Sequence, residues 1–275
     1  MNDSLIAVIY LTIGLIGFIA NLIVIYVKST HKKTYSNITY TFMVQVSVAD
    51  NFALSATSFC GSLFLTFPQF QCPILNRLFG FFALGAWYAA SFFLCFVAFS
   101  RFVSITKPAK VDLYFAPKIK WAMIVGAWLF CGGYYSCLLW YPQLLFKWIS
   151  EKVSWEFNVD QVSPFVTIVI WQNAVINTIC MLTQIIFNAM TLRWLQKSRK
   201  TILTIDQKKN RRRETKLFVQ CLVNSCLYSV TFLLFQSLNF LLEFGIENFA
   251  LYFVMSLAWI LHHSANPIIY FVINR

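Results

Sequence analysis

Seven long apolar runs constrain this chain more than any other feature: 5–27, 38–67, 78–104, 119–141, 165–192, 217–242 and 249–273. Each can cross the hydrocarbon core of a bilayer, which takes about 20 residues of helix. Lipid offers no hydrogen-bond partners, so backbone of this kind must satisfy itself as helix. The composition agrees: 59% of the 275 residues are hydrophobic and 12% charged, too apolar for a soluble domain. The expectation is an all-α membrane protein, one domain over 1–275 built as a seven-transmembrane helix bundle. The first run lacks a basic flank before it and a small-residue cleavage site after it, so it reads as a retained anchor.

A net charge of +12 would suggest nucleic acid in a soluble protein. Its distribution argues against that partner. Nineteen of the 22 Lys and Arg follow the first, third and fifth runs or sit at the C-terminus; Arg77, Lys147 and Lys152 lie on the other side. Lysine and arginine mark the cytoplasmic face, which predicts an N-terminus outside and a C-terminus in the cytoplasm. Anionic membrane lipids and a cytosolic protein suit that face. Residues 193–216 read as a basic inner loop and Pro142–Pro164 as the one long outer loop. The eight Cys show no metal-ligand spacing.

Polar residues inside apolar helices are costly, which makes them candidates for function. Arg101 ends the third run; it either snorkels to the headgroups or faces the bundle interior. Asp50 is the one acid within a run, near mid-membrane, and is either a structural hydrogen-bonded acid or a functional one. Asn21, deep in the first run, is placed to bond to it. In the seventh run Pro267 removes a backbone donor, and Asn266 and Tyr270, four apart, share a face. His262 and His263 read first as packed, hydrogen-bonded histidines. No nucleophile, metal or phosphate-loop motif appears, so no enzyme and no cofactor are expected.

Taken together, Asn21, Ala49-Asp50, Ser100-Arg101-Phe102, Trp128 and Asn266-Pro267-Ile268-Ile269-Tyr270 resemble a rhodopsin-like G-protein-coupled receptor. More narrowly, Arg212–Cys221, Ala258-Trp259-Ile260-Leu261-His262 and Tyr35–Thr39 look similar to the nematode serpentine chemoreceptors of class X. The resemblance implies a multi-pass plasma-membrane chemosensory receptor, in sensory cilia, that binds an external ligand and activates a heterotrimeric G protein. It implies G-protein contact and activation through Arg101, Tyr270, Asn266 and Pro267. It also implies a central polar network of Asn21, Asp50 and Asn266, with a sodium ion as a candidate at Asp50. The acid that usually precedes the arginine is Ser100 here, so a resting partner has to come from another helix; Glu214 is the candidate. The usual tryptophan-proline toggle of the sixth span is missing. The long outer loop has no Cys, which leaves Cys72 with Cys137 as the alternative disulfide. With the sequence ending at Arg275, directly after the seventh run, the expectation is either desensitisation through the inner loops or an incomplete product.

An amine-binding acid is absent from the outer half of the third run, where Ala83 stands, and no Lys occupies the seventh. The expected ligand is a small, mostly apolar odorant or pheromone-like molecule. Its candidate pocket is Trp87, Tyr88, Phe92, Trp171, Gln172, Phe235, Gln236, Asn239 and Trp259, although each aromatic would equally serve helix packing or an interfacial belt. The alternatives are a proton-coupled transporter or channel centred on Asp50 and His262, and a receptor-like scaffold that does not signal.

Overall fold

A computed structural model of the chain describes residues 2–31, 37–140, 146–157, 164–198, 205–244 and 248–273; a few helical side chains, Cys137 and Asn239 among them, fall outside the description. Seven helical segments match the seven apolar runs. The first is α1 (Asp3–Thr30). The second is continuous over 38–66: α2 (Ile38–Leu54), a π-helical turn (Ser55–Cys60) and α3 (Gly61–Thr66). The third is α4 (Pro73–Thr106). After a short α5 (Val111–Tyr114), the fourth is α6 (Pro117–Tyr135) with α7 (Cys137–Trp140). The fifth, sixth and seventh are α8 (Pro164–Lys197), α9 (Ile205–Glu243) and α10 (Phe249–Ile273). Four of them, α1, α4, α8 and α9, hold stretches long and apolar enough to cross a membrane by length and composition alone.

Local chemistry sets the starts. The Asn2 side chain accepts from the Ser4 N–H (3.0 Å) and Asn37 from the Thr39 N–H (3.1 Å), as N-caps do. Pro73, Pro117 and Pro164 open α4, α6 and α8, where a missing N–H costs nothing. The sixth segment corrects the sequence expectation. Its helix begins at Ile205 rather than 217 and carries the basic stretch as helix, not loop. Lys, Arg, Gln and Glu are good helix formers, and a hydropathy reading ends where charge begins.

The hub is α4. In its most apolar stretch 78% of residues are buried, against 28% in α1 and α8. The outer face of α8 is an apolar stripe of Ile168, Trp171, Val175, Ile179, Leu182 and Ile186, all exposed and spaced by three or four. The inner face holds Asn173, Asn177, Gln184 and Asn188, all buried. Where α1 meets the π turn and α10, the helices nearly touch. A Cβ on Gly14 would sit 1.8 Å from Ser58 Oγ, and one on Gly17 2.7 Å from the Ser264 Cα. Close approach of this kind is what glycine permits in membrane helices. The Ser58 hydroxyl seals the contact by donating to the Tyr10 carbonyl (2.6 Å).

Between the fourth and fifth segments lies an antiparallel hairpin, β1 (Phe146–Ile149) and β2 (Ser154–Phe157). Its pairs are Phe146 with Phe157, Lys147 with Glu156, Trp148 with Trp155 and Ile149 with Ser154. The hairpin lies across one end of the bundle. The Trp148 N–H donates to Asn76 Oδ1 of α4 (2.9 Å), and Trp155 Nε1 donates to the Ala56 carbonyl in the π turn (3.2 Å). The Tyr10 hydroxyl of α1 donates to the Val153 carbonyl (3.2 Å). Lys152 sits over the Tyr252 ring of α10 at 4.8 Å. Val153, at the tip, has φ 49° and is fully buried. A β-branched residue in that region is strained and is held there by its surroundings.

Candidate functional site

Three clusters of buried polar side chains line the bundle from the hairpin end to the Arg101 end. At the far end, Arg101 is fully enclosed. Its Nη1 donates to Glu214 Oε2 of α9 at 2.6 Å, and that carboxylate is 20% exposed. Its Nε donates to Thr39 Oγ1 (2.7 Å) and its Nη2 to Asn37 Oδ1 (2.9 Å); Nη2 also approaches Thr39 Oγ1. Thr39 Oγ1 lies 2.7 Å from Ser100 Oγ, the hydroxyl that stands where an acid was expected. Glu214 is thus the acid beside Arg101, and Asn37 and Thr39 are partners that sequence reasoning did not single out. The Asn37 carbonyl oxygen has a double task, capping α2 and holding the guanidinium. Beside this cluster is a polar groove lined by Asn37, Thr41, Ser104, Asp112, Lys120 and Glu214 among others.

The middle cluster surrounds Asp50, fully buried. Asn266 Nδ2 donates to its Oδ2 (2.5 Å), and His263 Nδ1 lies 2.7 Å from its Oδ1. The tautomer follows from the other side of the ring. The Trp259 indole N–H, a donor only, points at His263 Nε2 (3.0 Å); a neutral ring therefore carries its hydrogen on Nδ1 and donates it to Asp50. Of the two histidines it is His263, and not the His262 of the transporter reading, that reaches Asp50, because adjacent helical residues point about 100° apart. One expectation is corrected here. Asn21 does not bond to Asp50: its Nδ2 donates to the His263 carbonyl (3.1 Å). Pro267 supplies the reason. It lacks the N–H that would take the carbonyl four residues back, so the oxygen of His263 is open to Asn21. Each Asp50 oxygen accepts one of these bonds, and the Oδ1 atoms of Asn266 and Asn21 have no partner among the described residues.

Tyr270, one turn beyond Asn266, is buried with its hydroxyl 3.5 Å from Asn224 Nδ2 and its ring 4.2 Å from Lys28 Nζ. The His262 ring meets Trp87 edge to face and Tyr228 at a tilt, and neither ring nitrogen has a partner among the described residues.

The third cluster lies below the hairpin, around a small cavity. Trp87, Phe146, Asn173, Asn177, Phe235 and Trp259 are among its walls, with Leu84, Thr231, Phe232 and Met255. It has about 30 Å³ of free space, room for one or two waters. Asn177 organises the wall: its Oδ1 accepts from Trp87 Nε1 (2.8 Å) and from the Tyr228 hydroxyl (2.8 Å). The Tyr88 hydroxyl donates to Asn173 Oδ1 (2.6 Å).

Of the expected pocket residues, Trp87, Phe235 and Trp259 line this cavity, and Tyr88 is bonded to its wall. Trp171 belongs to the outer stripe, 68% exposed. Phe92 packs on Phe130. Gln172 accepts from the Tyr134 hydroxyl. Gln236 is half-buried and is not among the cavity walls. The Asn239 side chain lies outside the described residues. Cys72 is a free thiol, and the proposed bridge to Cys137 falls on a side chain outside the description.

The model of the serpentine type 7TM GPCR chemoreceptor Srx family matches residues 11–274. The chain belongs to that family. No curated protein matches it. The Srx match makes the chain a member of a seven-transmembrane receptor family rather than an enzyme family, and it makes the helical segments those of a membrane receptor. Trp87 and Trp259 meet edge to face with centroids 5.8 Å apart. In this Srx chain, contacts thus run from the cavity wall through Trp259, His263 and Asp50 to Asn266.

Proposed function

We propose that this chain is a chemosensory receptor that binds a small, mostly apolar external ligand at the hairpin end. The opposite end activates a heterotrimeric G protein. The hairpin end faces outside and the Arg101 end faces the cytoplasm, where the positive charge gathers. In this scheme the receptor sits in the plasma membrane of a sensory cell. Arg101 is the G-protein contact, and Asn266, Pro267 and Tyr270 couple to it.

The observation that carries the proposal is the buried Arg101–Glu214 ion pair between α4 and α9, next to a polar groove. Breaking the pair within the closed bundle leaves the enclosed guanidinium without its counter-charge, which is costly. The pair therefore holds α4 and α9 together in a resting state, and separation of the two helices releases a cation into the groove. A ligand and a G protein that both prefer the separated state favour each other's binding. The test is basal nucleotide exchange by the reconstituted receptor. Glu214→Ala raises it, and Arg101→Ala added to Glu214→Ala returns it to background. A Glu214→Ala receptor with wild-type basal exchange would refute the resting role of the pair.

A second proposal follows from the buried Asp50–His263 pair, a geometry that suits proton carriage. A proton-coupled transporter would show pH-driven current in proteoliposomes, abolished by Asp50→Asn. A silent trace from well-reconstituted protein removes that alternative.

A further inference from the structure

Hydrogen-bond logic fixes which way the two asparagines of the cavity wall face. The Trp87 indole N–H can only donate, so the Asn177 atom 2.8 Å from it must be the carbonyl oxygen. Asn177 Nδ2 then points the other way, and it donates to the Asn173 carbonyl (2.8 Å) and to Asn173 Oδ1 (2.9 Å). That second bond fixes Asn173 in turn, since an amide nitrogen there would face another donor. The Tyr88 hydroxyl completes the environment of Asn173 Oδ1 at 2.6 Å.

Asn173 Nδ2 is left over. Among the described residues no hydrogen bond from it exists. Yet it is absent from the enclosed unpartnered atoms, so it keeps accessible surface although Asn173 as a whole is 6% exposed. Asn173 lines the cavity. The other polar side chain of the wall besides Asn177, Thr231, spends its hydroxyl hydrogen on the Leu227 carbonyl (2.9 Å). The rest of the lining is aromatic or aliphatic.

We infer that the ligand is a compact apolar molecule with one hydrogen-bond acceptor, such as a ketone, aldehyde, ester or ether oxygen, and that the acceptor is held by Asn173 Nδ2. The inference rests on the proposed ligand site and narrows it to a chemical class. Hydrocarbons leave the amide donor unpaired. Amines bring a donor to a donor.

The test uses the full-length receptor in nanodiscs and equilibrium dialysis of cyclohexanone, cyclohexane and cyclohexylamine, three probes of matched size, with empty nanodiscs as the blank. Wild type should hold cyclohexanone about tenfold more tightly than cyclohexane, the scale of one buried neutral hydrogen bond. Asn173→Leu should abolish that preference. Asn173→Asp keeps an oxygen toward Tyr88 and Asn177 but exchanges the donor for a second oxygen, and should gain affinity for cyclohexylamine. Equal binding of ketone and hydrocarbon by wild type, or a ketone preference that survives Asn173→Leu, overturns the inference and leaves the ligand site standing. Failure of all three probes to bind above the blank overturns the site itself and the inference with it.

Discussion

His262 and His263 are adjacent in sequence and differ in what they touch. His263 is bonded on both ring nitrogens, to Trp259 and to Asp50, and its carbonyl takes Asn21. His262 is as deeply buried, with both nitrogens unpartnered among the described residues. An unsatisfied buried polar group costs about 1–3 kcal/mol, whereas an apolar group of similar shape avoids that cost. His262→Phe should therefore raise the thermal unfolding midpoint of the purified receptor by a few degrees. His263→Phe should lower it, because Asp50 and the Trp259 indole both lose a partner. A fall with His262→Phe would mean that its nitrogens have partners in the folded protein. Sequence alone placed both histidines in the right helix but not on the right faces. Asp50, Asn266 and Arg101 were legible because each is a costly polar group in lipid. The Arg101 partners Thr39 and Asn37, and Asn177 in the cavity wall, were not, because a small amide or hydroxyl in a helix has an innocuous local use as cap or back-bonded side chain.

At the scale of elements, helix existence was easy to read and helix orientation was hard. Apolar length reveals a span, but lipid and packed neighbours are equally apolar, so periodicity does not tell inside from outside. The inner face of α8 was nevertheless marked by its polar residues at 173, 177, 184 and 188, and Trp171 lies off that stripe. The hairpin also left a trace: Phe146-Lys147-Trp148 and Trp155-Glu156-Phe157 alternate in the two-residue period of a strand. It escaped because a loop between two spans invites no search for strands. The hairpin's seat can be probed at Gly80, where a Cβ would lie 2.7 Å from the Phe146 carbonyl oxygen. Gly80→Ala should lift β1 from α4 while leaving the helices in place. Hydrogen exchange should then quicken in 146–157 and stay unchanged in α4; equal protection in wild type and variant would mean the strand absorbs the methyl group.

For the whole molecule, the arrangement is a set of contacts joining two ends. Trp259 is a wall of the cavity and also a donor to the His263–Asp50 pair. The seventh segment thus carries a tryptophan that touches both the cavity and the buried pair, whereas the sixth has no tryptophan-proline toggle. Trp259→Phe keeps the ring and removes the indole N–H. It should weaken agonist-driven nucleotide exchange several-fold more than it weakens ligand binding, and parallel losses would place Trp259 in the pocket alone.

The hairpin has a kinetic consequence as well. It rests on α1, the π turn, α4 and α10 and contributes Phe146 to the cavity wall. A ligand held beneath the hairpin, as proposed, would enter and leave at a pace limited by the opening of that cover. Arrival and departure then share one slow step. Under the proposed function, a cover loosened by Gly80→Ala should hasten both the onset and the decay of a response, with the affinity altered to the extent that Phe146 moves.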